Sequence, residues 1–318
     1  MNTAGTRMCK DFRGIVKPRK LIGILGVIFA LVAQFGGVPL AHALSVALPP
    51  TSLDPKGEEA KQGDISSKLT PSTNAAIVTE DGPVKGFQFA GNEQAQPNEE
   101  LFLGIPYAAP PVGKLRWMPP HPHAKWNVVL QANSFGNRCT QPDGNGGVVG
   151  AEDCLTLNLY TPLGQKNQNK KSPLPVMVWT HWGGLVTGGS SDFDPSPLVL
   201  QGNVIVVTIN YRLGYLGFLA HPAIDAEGHL NGNYGLMDQQ FALQWVQRNI
   251  AAFGGDPNRV TLFGVSAGGQ SIYTNLASPT AAGLFQRAIA ESGAYAEFQD
   301  YPQRTLLRDE TRHDSIQR

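Results

Sequence analysis

The run Val260-Thr261-Leu262-Phe263 leads straight into Gly264-Val265-Ser266-Ala267-Gly268-Gly269, and a helix candidate begins near Gln270. A short apolar strand that meets a glycine-flanked serine and turns at once into a helix is an α/β connection. The turn is so tight that side chains beside the serine would collide with the elements it joins. Two denser apolar runs, Val176 to Thr180 and Val204 to Ile209, read as central strands buried on both faces. Between them and the serine, Leu236, Phe241, Trp245, Val246, Ile250 and Phe253 recur at nearly helical spacing, and Gly254-Gly255-Asp256-Pro257 stops the pattern. Strand, helix, strand, helix predicts a mostly parallel central sheet with helices on both faces. Further strands are predicted at Ala75 to Thr79, Val84 to Phe89, Leu101 to Ile105, Leu155 to Tyr160 and Ala288 to Ala290.

The segments before this domain have another character. A basic stretch ending at Arg19-Lys20, an apolar run from Leu21 to Ala33 and a small-x-small site Ala41-His42-Ala43 together read as a secretory signal cleaved after Ala43. An uncleaved anchor is the alternative, although Gln34, Gly36, Gly37 and Pro39 interrupt the apolar stretch. Cleavage predicts a secreted or periplasmic protein with no stable membrane insertion. Residues 44–72 lack apolar periodicity and are rich in Pro, Ser and charge, which predicts a disordered linker before a folded domain at 73–300. Of 25 bases and 25 acids, residues 1–43 hold six and one, so 19 and 24 remain beyond them, a net charge of −5. An acidic chain whose nearest basic cluster is the loop-like Lys166 to Lys171 offers no electrostatic footprint for nucleic acid. Cys9 leaves with the signal, and Cys139 and Cys154 remain as an even pair in an oxidising setting. Joined, they close a loop whose constraint stabilises by about 3 kcal/mol; the alternative is two reduced core cysteines.

Gly264-Val265-Ser266-Ala267-Gly268 in its strand-to-helix setting is the G-x-S-x-G pattern that lifts a serine hydroxyl above a sheet, with a helix N-terminus favouring developing negative charge. The pattern alone is common, and its context gives it weight. His181-Trp182-Gly183-Gly184 follows the strand Val176 to Thr180, where a loop of backbone N–H donors for an oxyanion would lie. Without Ser266 it would read as an ordinary Gly-Gly turn.

Five collinear blocks carry a resemblance: FLGIPYAAPPVGKLRW at 102–117, EDCLTLNLYTP at 152–162, NYRLGYLGF at 210–218, GNYGLMDQQFALQWVQRNIAAFGGDP at 232–257 and GVSAGG at 264–269. From about residue 75 to 295 the chain resembles the type B carboxylesterases, which include cholinesterases and bacterial para-nitrobenzyl esterases. The resemblance implies the α/β-hydrolase fold and a small-molecule ester as substrate, with no cofactor and no metal. It implies Ser266 as catalytic nucleophile, Gly183, Gly184 and Ala267 as oxyanion donors, a Cys139–Cys154 disulfide and a buried structural ion pair between Arg116 and Glu152. Breaking a buried pair would cost about 3 to 5 kcal/mol. Two departures matter. Trp182 replaces the first of three glycines usual after the residue matching His181, and would be strained there if the position needs positive φ. Val265 replaces a common glutamate near the catalytic imidazole, which should reduce turnover.

A serine nucleophile needs a base, and an acid to orient it, in the order Ser, acid, His for this fold. Only His313 follows Ser266, in a divergent charged tail at 301–318 that is a poor place for a base. Glu291, Glu297 and Asp300 are equally poor candidates for the acid, while His121, His123, His221 and His229 precede the serine. The resemblance places the acid and histidine on later strands, so a truncated form lacking them and the last strands, with an unpaired sheet edge, is the expectation. Three readings remain: a secreted serine carboxylesterase, an inactive fragment or adhesion module of the neuroligin kind on the same fold, and another α/β-hydrolase such as a lipase or peptidase. The retained serine argues against adhesion, and the density of the matching blocks against the third.

Overall fold

A computed structural model of the chain describes residues 68–89, 99–163, 172–228 and 232–293. The signal segment with Cys9, the Lys166 to Lys171 loop, His229, Glu297, Asp300 and the tail with His313 lie outside the described residues, as does most of the 44–72 linker. The last part of that linker is a correction. Leu69–Pro71 forms a strand, β1, that pairs antiparallel with Phe87–Phe89, β4. Leu69 packs against the core, and this one apolar contact draws the segment into the sheet although no periodicity marks it.

Eight strands form the main sheet in the order β1-β4-β5-β9-β11-β10-β12-β13. The new members are β5 (Glu99–Pro106), β9 (Thr156–Pro162), β10 (Leu174–Thr180), β11 (Ile205–Ile209), β12 (Gly255–Val265) and β13 (Arg287–Glu291). Its parallel character is concentrated in β11, β10, β12 and β13, while β1, β4, β5, β9 and β11 pair antiparallel. Connection type explains the division, because parallel neighbours need a crossover and helices follow β10, β11 and β12. Short accessory strands, β2 (Ile77–Val78), β3 (Pro83–Lys85) and β6 (Leu130–Gln131), make one small sheet; β7 (Gln141–Pro142) and β8 (Val148–Val149) make a hairpin inside the Cys139–Cys154 loop.

Helices cover both faces. On one, α1 (Ser196–Gly202) buries Val199 with Leu101, Tyr160, Val204 and Val206. On the other, α4 (Tyr234–Asn249) and α5 (Ala267–Ala277) bury Leu243, Trp245, Val246 and Ile272 against Val176, Val178, Val207 and Leu262. The helical pattern running from Leu236 to Phe253 is therefore α4 plus a closing 3-10 turn, ended by Gly254 at φ 88°. Two short helices, α2 (Gly214–Phe218) and α3 (Pro222–Asp225), carry the chain from β11 towards α4. β13 is the outer strand of the described sheet, and its Ile289 is 44% exposed. No helix among the described residues is long and apolar enough to cross a membrane.

Candidate active site

Strand β12 ends at Val265 and α5 begins at Ala267, so Ser266 alone makes the turn. Its φ of 58° and ψ of −122° lie where non-glycine residues are rarely found, a conformation costing about 1 to 3 kcal/mol that surrounding structure must impose. Backbone hydrogen bonds help to hold it: Ser266 N–H donates to Glu291 O at 2.9 Å, and Gln270 N–H donates to Ser266 O at 2.9 Å. Close approach does the rest. A Cβ on Gly268 would stand 2.1 Å from Thr180 O, so the first turn of α5 lies directly on the end of β10. Half-buried Ser266 thus sits at the carboxyl end of a parallel strand, at the N-terminus of an eleven-residue helix whose aligned peptides favour negative charge.

The same contact draws in the second element. Gly268 also approaches His181 O, and Gly183 and Gly184 follow two and three residues later, within about 10 Å of the turn by chain reach. Gly183 (φ 105°), Gly184 (φ 65°) and Leu185 (φ 62°) carry the positive-φ backbone of this loop. Trp182 does not, so the strain that a tryptophan would suffer at positive φ does not arise. Its ring instead packs edge-on to Trp179 at 5.2 Å, and Trp179 in turn lies 5.1 Å from Phe193.

His181 has a supporting place in the loop. It is 1% exposed, its ring stacks on Tyr211 at 4.2 Å, and Tyr211 Oη–H donates to His181 O at 2.9 Å. Its Nδ1 lies 2.7 Å from Trp182 O; a carbonyl only accepts, so Nδ1 carries the proton. Burial, aided by Arg138 and opposed by the Trp182 carbonyl, lowers its pKa to about 4. A neutral, enclosed imidazole holding its own loop is a structural group.

Cys139 and Cys154 are joined, both almost fully buried. Arg116 and Glu152 also pair, through a two-pronged contact of 2.6 and 2.5 Å, but this pair is not buried: the side chains are 41% and 25% exposed. Arg116 follows a one-turn 3-10 helix on a surface loop, which leaves its guanidinium open to water. The buried pair is Arg212–Asp238, at 3% and 0% exposure, with Arg212 Nε, Nη2 and backbone N–H all donating to the one carboxylate. Sequence reasoning missed it, although a signal was present. Asp238 lies one helical turn after Tyr234 and two before Trp245, on the buried stripe of α4, where a charge demands a partner. Asp238 thereby fixes the segment after β11 that carries Tyr211 and, through Gly214 N–H to Leu185 O at 2.7 Å, the far side of the glycine loop.

Glu291 ends β13 beside Val265, its side chain exposed, and its backbone carbonyl serves Ser266. Among the described residues no histidine follows Ser266, and no cluster of three or more His, Cys, Asp or Glu could hold a metal ion.

Comparisons with known proteins agree with this geometry. Carboxylesterase 1E of Mus musculus is 45% identical over 237 residues, covering 70% of this chain and 41% of the relative. The medium-chain fatty acyl-CoA hydrolase precursor of Anas platyrhynchos is 42% identical over 257 residues, covering 76% and 42%. Among solved structures, a thermophilic PNB esterase superposes with a TM-score of 0.61 at 44% identity, covering 70% of this chain and 45% of that one. The chain thus spans about two fifths of the length of the curated relatives it matches. With residues 73–306 matching the sequence model of the Carboxylesterase family over a strand, turn and helix that present Ser266 as described, the chain belongs to that family.

Proposed function

We propose that this chain carries the nucleophile and oxyanion machinery of an exported serine hydrolase acting on small carboxylic esters. The observation that carries the reading is the strained Ser266 at the α5 N-terminus, pressed by Gly268 against the end of β10. In the reaction Ser266 Oγ attacks the ester carbonyl carbon and the alcohol leaves with the serine proton. Water then cleaves the acyl-enzyme and releases the acid. Backbone N–H groups of Gly183, Gly184 and Ala267 are the donors for the tetrahedral oxyanion, each worth about 3 kcal/mol of barrier. A histidine must carry the proton from Ser266 to the leaving alcohol and an acid must orient that histidine, and in this fold both are expected after Ser266 in chain order. Trp182, with its ring on Trp179 next to the loop, stands where it would shape the space left for substrate. Export rests on the signal-like N-terminus and on the buried Cys139–Cys154 pairing, which suits an oxidising compartment.

The test is covalent labelling. Purified chain incubated with a fluorophosphonate should carry one adduct on Ser266, lost in Ser266→Ala, whereas turnover of an aryl acetate requires in addition the histidine and acid expected after Ser266. A chain that takes no label while a carboxylesterase of the same family does would overturn the hydrolase reading in favour of a binding role for the fold.

A further inference from the structure

Gln141 is 6% exposed, lies two residues after Cys139 and is not part of any catalytic group. Its side-chain amide reaches across 47 residues to the exit of the glycine loop: Gly188 N–H donates to Gln141 Oε1 at 2.8 Å, and Gln141 Nε2–H donates to Gly188 O at 2.9 Å. The same Nε2 donates to Cys139 O at 2.9 Å. Gly188 N–H can be met only by the amide oxygen, which leaves the NH2 for the two carbonyls, so all three bonds fix one orientation.

What this amide grips is the closure of the loop. Val186 N–H and Thr187 N–H both donate to Gly183 O at 3.0 Å, so residues 183–187 form a turn that brings Gly188 back onto its start. There a Cβ on Gly188, at φ 108°, would stand 2.5 Å from His181 Nδ1 and 2.7 Å from Trp182 O. Gly188 is therefore packed against the residues that precede Gly183, and a pull on one end of the turn is felt at the other. Gln141 is itself anchored. The Cys139–Cys154 disulfide, Thr140 N–H to Ala151 O at 3.1 Å and Ala151 N–H to Arg138 O at 2.9 Å hold its segment, and Arg138 pairs with Asp192 beyond the loop.

We propose that Gln141 is a positioning residue for the oxyanion loop: it ties Gly188, and through the 183–187 turn the donors Gly183 and Gly184, to the rigid disulfide loop. This rests on the hydrolase reading for its catalytic consequence and on the hydrogen bonds alone for its structural one, so the two are separable. Misplacing a reacting group by about 1 Å costs about 100-fold in rate, and that is the loss expected in Ser266 labelling for Gln141→Met, a substitution of similar volume.

The deciding experiment combines that labelling with amide hydrogen exchange on the full chain. In Gln141→Met the amides of residues 183–188 should exchange about tenfold faster, while those of β11 and α4 keep their wild-type rates. Gln141→Glu supplies a readout that mere filling of space would not move. Its introduced carboxyl, when protonated, restores one donor and one acceptor, so the deficit in loop protection relative to wild-type chain at the same pH should narrow as the pH falls and widen as the carboxyl ionises against the Gly188 and Cys139 carbonyls; the titration of His181, beside Gly188, is common to both chains and cancels. Unchanged exchange at 183–188 in both variants, or an equal rise throughout the molecule, would overturn the proposal. Should Gln141→Met not fold, the pH dependence of Gln141→Glu decides alone. Should wild-type chain take no label, the hydrolase reading falls while the exchange data still decide the clamp.

Discussion

The Ser266 turn and the glycine loop leave adjacent parallel strands, β12 and β10, and are held in different ways. The turn is shaped by what cannot fit: Gly268 lies against Thr180 O, and Ser266 is left with a φ of 58°. Its backbone hydrogen bonds to Glu291 and Gln270 come from the neighbouring strand end and its own helix. The loop is close-packed at Gly183, where a Cβ would stand 2.0 Å from Thr187 O, and open beside Gly184, where a Cβ would meet nothing within 4 Å; it is tied down by groups far off in the chain, Tyr211, Gln141 and, behind them, Asp238. Steric exclusion acts through a contiguous motif, whereas a scaffold of hydrogen bonds is recruited from wherever the fold delivers donors.

The largest effect should come from breaking the first arrangement. Gly268→Ala puts a methyl 2.1 Å from Thr180 O and 3.0 Å from Thr180 C, and neither backbone can yield without parting β10 from β12 or displacing Ser266. The expected result is a loss of about 4 kcal/mol or more in urea unfolding, with no Ser266 labelling. Gly184→Ala meets no atom and bears only the positive-φ penalty, about 1 to 2 kcal/mol. Equal losses at the two positions would show that space is not what distinguishes turn from loop.

The contrast also explains what was legible in the sequence. Ser266 and its glycines, the buried runs of β10, β11 and β12, and the stripe of α4 are local patterns, and each sits where periodicity and spacing put it. The supports of the loop are not local. Nothing near Gln141 announces that its amide will face Gly188, because the partner lies 47 residues on and the pairing exists only once the disulfide loop is folded. The same gap misled the ion-pair expectation. Arg116 and Glu152 do meet, but burial is a property of the assembled surface, and the enclosed pair proved to be Arg212 with Asp238. The β1 strand was hidden in a Pro- and Ser-rich stretch because three residues are too few to show alternation.

A second break targets the scaffold. Asp238→Ala leaves the Arg212 guanidinium enclosed with no counter-charge, and its Nη1 already lacks a hydrogen-bond partner. Removing one member of a buried pair costs about 3 to 5 kcal/mol, and Tyr211 and Gly214 should lose their register with the loop as Arg212 shifts. Urea midpoints should therefore fall sharply for Asp238→Ala and stay near wild type for Arg116→Ala, whose pair is solvent-exposed. A comparable fall in both would return the structural role to Arg116.

A last effect separates the two arrangements by pH, since the loop carries an enclosed titratable group in His181. Its folded pKa of about 4 lies below the ordinary value of 6.5, chiefly through burial. Above pH 6.5 the imidazole is neutral whether the chain is folded or not, and it adds no slope. As the pH falls from 6.5 towards 4 the unfolded chain takes up a proton that the folded chain refuses, so stability falls, by about 3 kcal/mol at pH 4. Below that both states are protonated and the slope from this group vanishes. In His181→Asn the loss of stability between pH 6.5 and 4 should shrink by that amount, whatever the variant's stability at neutral pH. Amides of residues 183–188 in wild-type chain should also lose protection over that interval before those of α5 do. An acid dependence identical in wild type and variant would mean that the imidazole reaches water, and with it that the loop is far less firmly closed than its stacking on Tyr211 implies.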